Sequence, residues 1–305
     1  MSSADVLDRM SAPGEAAGRP GAAATVQSDL RFFANELRVT FFRRRNQLLL
    51  LVVAVFPLLI GIGLKAAAPQ GGGGGGRGPG ASGAAYFSQL AGNGVFLTFV
   101  ALSLLLILVL PMMVAVVSGD SIAGEAGYGT LRYLLAVPAG RTRLLAVKYA
   151  TIVVWAVVAT FVVSVVALLT GVALFGAGPV TLLSGTTVSL AAGLVHVLWV
   201  TLYVCAAMAA LGAIGLAIST FTEHSIGAIA AAMIIVVGSE VVDNIQQFAP
   251  VAPYLPTHWW LSFDSLLRTP IDTTTLWHGL ASFLIYAGIF CCIAWARFTS
   301  SDVTS

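Results

Sequence analysis

Charged residues are rare in this chain. Only 9% of its 305 residues are Asp, Glu, Lys or Arg, against about 25% in ordinary soluble domains. A folded chain of this size still exposes about a quarter of its unfolded surface, and so few ionisable groups cannot cover it. A water-soluble globule is therefore excluded. With 58% hydrophobic residues and a mean hydropathy of +0.94, the bilayer is the expected solvent. A formal net charge of +2 supplies no basic field for nucleic acid. Cysteine is equally sparse: Cys205, Cys291 and Cys292 lie in apolar stretches and form no C-x-x-C pair. Neither a disulfide framework nor a zinc site is indicated, and the three read as small apolar fillers. A phosphate-binding loop is missing too. The run Gly71 to Gly76 is followed by Arg77 and Gly78, where such a loop needs Lys and then Ser or Thr, and no other G-x-x-x-x-G-K-[ST] occurs. That run reads as a flexible linker in an outer loop, and the chain is not expected to hydrolyse ATP by itself.

What is present is a series of long uncharged runs, measured against the roughly 20 apolar residues that a helix needs to cross the hydrocarbon. The expected spans are 46–64, 95–117, 146–175, 188–218, 226–242 and 276–296. Pro57 and Pro111 interrupt the first two, which lipid-embedded helices tolerate. Gly176, Gly178, Pro179, Ser184 and Gly185 mark the turn that divides the longest run in two. Trp277 and Trp295 bracket the last span, about 27 Å apart at 1.5 Å per residue, one at each interface. Residues 1–45 hold no apolar core, so no cleavable signal peptide is expected and the first span acts as an uncleaved anchor. Lys and Arg choose the side. About twelve lie in the N-terminal segment, the loop between spans two and three, and the C-terminus, against about three elsewhere, so the positive-inside rule makes both termini cytoplasmic.

Three extramembrane stretches carry further information. Residues 1–27, rich in Ala, Gly, Pro and Ser, cannot bury a core and are expected to be disordered. From 28 to 45 the residues Leu30, Phe33, Leu37 and Phe41 recur at helical spacing, which predicts an amphipathic helix lying along the inner leaflet. Between Asp120 and Lys148, Gly127 and Gly129 permit a sharp reversal and Thr130 can cap a short helix from Leu131 to about Ala136. Pro138 stops that helix, and Leu131, Leu134 and Leu135 give it an apolar face. Arg141, Arg143 and Lys148 follow, suited to inner-leaflet phosphates or to an acidic partner surface. On physical grounds alone, an ordinary connection and a docking element remain equally open.

The remaining polar positions are few. Glu240 and Asp243 share one face of the fifth span near its outer end, and His196 stands alone in the fourth. Translocation and plain packing or interfacial roles both fit these three. His258, Trp259 and Trp260 read as an amphipathic belt. The small residues Ala206, Ala209, Ala210, Gly212, Ala213 and Gly215 permit close helix approach, either between two copies or inside one. No catalytic, cofactor or metal site is indicated.

The stretch from Glu125 through Gly129, Thr130 and Leu131 to Pro138, Arg141 and Lys148 resembles the E-x-x-x-G-T-L…P…R…K signature of ABC type 2 transporter permeases. The resemblance extends to the N-terminal helix, the six spans, the outer segment with Pro250, Pro253 and Pro256, and the polar tail around Phe298 and Asp302. The Gly-rich insertion and the absence of a basic residue around Glu223 and His224 depart from it. It implies an all-α polytopic membrane protein with six transmembrane helices, an N-terminal interfacial helix and a cytoplasmic coupling helix. It also implies a permease that works with a second permease copy or paralogue, and with a separate ATPase subunit that binds ATP and Mg. Glu125, Gly129, Thr130, Leu131, Leu134, Leu135, Pro138 and Arg141 would then couple the permease to the ATPase, with Glu125 as structural support. The expected activity is ATP-driven export of an amphipathic or hydrophobic substrate across the plasma membrane. The alternatives are a proton-coupled secondary transporter using Glu240 and Asp243, and an integral membrane enzyme acting on lipids.

Overall fold

The computed structural model describes residues 22–67, 93–127, 141–178, 180–181, 186–268 and 271–300. Helix α1 (Ala22–Phe42) is followed after a bend at Arg43 by α2 (Arg44–Ala67). Next come α3 (Phe96–Ile107), α4 (Val109–Gly127) and α5 (Arg141–Phe175). A two-residue antiparallel ribbon, β1 (Val180–Thr181) with β2 (Thr187–Val188), precedes α6 (Leu190–Ser219) and α7 (Ser225–Asp243). Three 3-10 turns, Gln246–Phe248, Ala252–Tyr254 and Trp260–Leu267, lead to α8 (Thr273–Ser300).

Among the described residues, six helices are long and apolar enough to cross a membrane: α2, α4, α5, α6, α7 and α8. The protein is an all-α polytopic membrane protein. Contacts between the helix ends show that successive crossings alternate in direction. Asp120 of α4 meets Arg45 of α2 and Ser225 of α7, while Arg141 of α5 meets Thr299 of α8. Gly94, just before α3, meets Gly171 of α5 at the opposite end. The α1–α2 bend and the end of α8 therefore lie at one end, here termed the charged end.

Burial separates the helices into a centre and a rim. Inside the molecule lies 72% of the apolar window of α6 and 67% of that of α4, against 17% for α2 and α8. Helix α6 packs on α4, α5 and α8, so it forms the axis of the subunit. Exposed Leu51, Leu59, Ile234, Leu284 and Ile285 give the rim helices an apolar outer surface, which the bilayer or another subunit would cover. Helices α5 and α6, with 35 and 30 residues, are about 52 and 45 Å long and exceed the roughly 30 Å hydrocarbon thickness.

Several boundaries differ from those the sequence suggests, each for a local reason. The expected span 95–117 is two helices, because Pro111 has no N–H to offer Ile107 and its ring crowds that carbonyl. The chain breaks at Leu108, where φ is −141° and ψ −47°. Helix α4 then continues to Gly127, beyond Asp120, since partners inside the molecule take up its two carboxylates. Helix α5 starts at Arg141 rather than 146, and α8 runs from Thr273 to Ser300 rather than 276–296. Helix α1 begins at Ala22 rather than 28, helped by its three consecutive alanines. The Gly-rich run and residues 1–21 lie outside the described residues.

The tightest crossing is Gly94 against Gly171. A Cβ on Gly171 would stand 1.9 Å from the Gly94 carbonyl oxygen, so backbone packs on backbone there. The small residues of α6 are likewise engaged within the subunit. A Cβ on Gly212 would strike Ile152 of α5, and one on Gly215 would strike Ser118 of α4. Of the two readings of that stripe, packing within one copy accounts for both glycines.

Candidate functional site

At the charged end, α1, α2, α4, α5 and α7 converge on two carboxylates of α4. Asp120, with only 9% of its side chain exposed, receives Arg43 Nη1 at 2.6 Å and Arg45 Nη2 at 2.8 Å on Oδ2. Its other oxygen, Oδ1, accepts the Ser225 hydroxyl at 2.8 Å. One side chain thus ties the α1–α2 bend, α4 and the start of α7. Charge-assisted hydrogen bonds of this kind are roughly twice as strong as neutral ones.

One and a half turns further along α4, Glu125 Oε1 accepts Lys148 Nζ at 2.6 Å, and Glu36 Oε1 of α1 accepts the same ammonium at 3.1 Å. Lys148 is 2% exposed. A lysine buried to this degree stays charged only beside compensating carboxylates, so the pairing is a condition of the fold. The expectation that Lys148 faces inner-leaflet phosphates or an acidic partner is corrected: its charge is spent inside the subunit. Arg43, Arg45 and Lys148 balance Glu36, Asp120 and Glu125 around a cleft of about 40 Å³, room for a few waters. A charge-balanced cleft suits a mechanical joint better than an anion site.

The joint brackets the most informative part of the sequence. Glu125 lies just before residues 128–140 and Lys148 shortly after them, so their ion pair closes the base of that segment. Gly129, Thr130, Leu131, Leu134, Leu135 and Pro138, together with the expected short helix, lie outside the described residues. Arg141, the first residue of α5, donates from Nη1 to the Thr299 carbonyl at 3.0 Å, and Trp295 Nε1 donates to Thr142 Oγ1 at 3.0 Å. The end of α8 is thereby fastened to the start of α5. Arg297 also stands over the Phe221 ring, 5.6 Å from its centroid.

A second hydroxyl reinforces α4 from α6. Ser219 Oγ accepts the Ile122 and Ala123 amides and donates to the Gly119 carbonyl. On the outer side of this joint, Phe41 of α1 packs on Trp155 of α5 with centroids 5.0 Å apart. The expected apolar stripe of α1 is corrected at Leu30, which is exposed; Phe33 and Leu37 are half-buried, Phe32 and Phe41 pack on the core, and Glu36 reaches Lys148.

A family model described as ABC-2 family transporter protein matches residues 42–239, a stretch that contains the joint's residues from α2, α4, α5 and α7. The chain belongs to that family. No curated protein matches the permease.

Glu240, Asp243 and His196 of the permease are not part of the joint. Glu240 and Asp243 sit at the far end of α7, where Asp243 Oδ1 pairs with His258 Nδ1 at 2.6 Å. His196 Nδ1 contacts the Ala192 carbonyl of its own helix at 2.7 Å. The structure does not bring the three together. In the sequence Asp120 marks only the end of an uncharged run, and Glu36 belongs to no motif. A carboxylate inside an apolar helix and a Glu on the inward stripe of an amphipathic one were the available signals.

Proposed function

We propose that the permease is one half of an ATP-driven exporter whose engine is a separate ATPase subunit that binds ATP and Mg. Residues 128–140 dock on that subunit, Leu131, Leu134 and Leu135 filling an apolar groove. The observation that carries the reading is the Glu125–Lys148 pair with Glu36. Because these groups lock α4 and α5 together on either side of the docking segment, and bring α1 with them, a push on that segment moves three helices as one lever. Arg141 extends the lever to α8. In this reading the termini and the joint face the cytoplasm, the membrane is the plasma membrane, and the path lies between two permease copies or paralogues.

The chemistry of the described surface favours an amphipathic or hydrophobic substrate. Between α6, α8 and the last 3-10 turn lies a hollow of about 190 Å³ lined by Trp199, Leu202, Tyr203, Leu266, Leu276 and Leu280. Almost nothing there would solvate a charge. A proton relay gains less support, since Glu240, Asp243 and His258 cluster at one end and His196 is bonded locally.

Reconstitution separates the two. In proteoliposomes carrying a fluorescent amphiphile, the permease alone is expected to give no flux, and flux is expected to appear when its ATPase and ATP are added. Flux driven by a pH gradient with no ATPase present would overturn the proposal.

A further inference from the structure

At the end away from the joint, the segment between α7 and α8 folds back onto the bundle and is held through Trp259. The Tyr203 hydroxyl of α6 donates to the Trp259 carbonyl at 2.8 Å, and the Trp259 indole N–H donates to the Pro253 carbonyl at 2.9 Å. Two imidazoles flank the indole. His258 meets it edge-on, with centroids 4.8 Å apart and planes at 88°, and His278 of α8 stacks on it at 5.7 Å and 19°. His258 also contacts Asp243 of α7 at 2.6 Å. A single chain of contacts, Asp243–His258–Trp259–His278, therefore joins α7, the folded-back segment and α8.

We propose that this chain is a proton-responsive clasp, tightened when its imidazoles are charged and loosened when they are neutral. The geometry gives the direction. A neutral imidazole can hydrogen-bond to Asp243 from Nδ1, so the contact survives at high pH. A charged one adds an ion pair to that bond. His278 gains in the same way, because an imidazolium stacked on an indole is attracted by the ring quadrupole. Its Nδ1 faces the Thr274 carbonyl, a bond that the charged ring and the neutral Nδ1–H tautomer both make.

The surrounding charges act in the same sense. From α7, Glu240 and Asp243 face His258, and from α8, Asp272 stands near His278. From α6 the titratable neighbour is Tyr203, whose proton is held by the Trp259 carbonyl. Asp264 and Arg268 stand further along the segment itself. Three carboxylates surround the two imidazoles and oppose the repulsion between the imidazolium ions. Imidazoles as a class change charge between about pH 5 and 8, which sets the two pH values at which the clasp is compared. This inference stands independently of ATP coupling, since no group of the joint takes part.

The test is hydrogen exchange on the intact protein in nanodiscs, at pH 5.5 and 7.5, corrected for intrinsic rates. Amides of residues 246–268 are expected to be about fivefold better protected at the lower pH, the size that one ion pair and one cation–π contact together allow. Both H258Q and D243N should abolish most of that difference, and H278Q should abolish a smaller part. Equal protection of the wild type at the two pH values would overturn the proposal, with no variant needed. So would an undiminished pH response in folded H258Q, judged by its elution volume and helical circular dichroism.

Discussion

The side chain with the most depending on it is Lys148, because an ammonium that is 2% exposed is held by the Glu36 and Glu125 carboxylates. Replacing it with Met leaves Glu36 and Glu125 facing each other without a counter-charge, and loss of one partner from a buried pair costs about 3 kcal/mol. K148M is expected to lower the thermal midpoint in detergent clearly, and E125Q/K148M to recover part of the loss because one uncompensated carboxylate is gone. Equal midpoints for wild type and K148M would show that the pair contributes nothing. In the sequence, Glu125 and Lys148 were legible as the two ends of one motif. Their partnership was not: spacing along the chain does not show a contact, and the antiparallel placement of α4 and α5 brings them to 2.6 Å. Asp120 was harder still to read, since its partners Arg43 and Arg45 appear in the sequence as ordinary positive-inside residues.

At the scale of elements, the long uncharged runs made the six crossings legible, because hydropathy acts over whole helices and needs no tertiary information. Helix ends were less legible. Charges were expected to end a span, yet α4 carries Asp120 and Glu125 inside it because both are paired, and Pro111 splits a run that composition shows as continuous. The start of α8 illustrates a local rule that does hold. The Asp272 carboxylate accepts the Thr275 hydroxyl and the Thr274 and Thr275 amides. These bonds, led by the Thr275 hydroxyl and then the amides, hold its carboxyl below the usual carboxylate range. A lowered value means that the contribution is complete above the unfolded value of about 3.9 and disappears as pH falls through the folded one. D272N should therefore raise amide exchange in the first turn of α8 at neutral pH. The wild type should approach the variant only in acid, and an exchange rate unaffected by D272N at pH 7 would show that the carboxylate charge adds nothing to the cap.

For the whole molecule, two ends with different chemistry emerge. One is a charge-balanced joint around Asp120, Glu125 and Lys148, and the other is a folded-back segment held at Trp259. Helix α8 touches both, through Thr299 and Trp295 at the joint and through His278 at the opposite end. Family membership rests on residues 42–239, and a mechanical joint at the base of the 128–140 segment is what a permease driven from outside its own chain would need. The most direct measurement is affinity purification of the permease from its native membrane, followed by an assay for ATP hydrolysis in the eluate. An ATPase subunit should accompany the wild type and be lost from L134D/L135D, while that variant still inserts and elutes as the wild type does. Wild-type permease that transports substrate with no ATPase in the eluate, or an ATPase retained undiminished by L134D/L135D, would contradict the account.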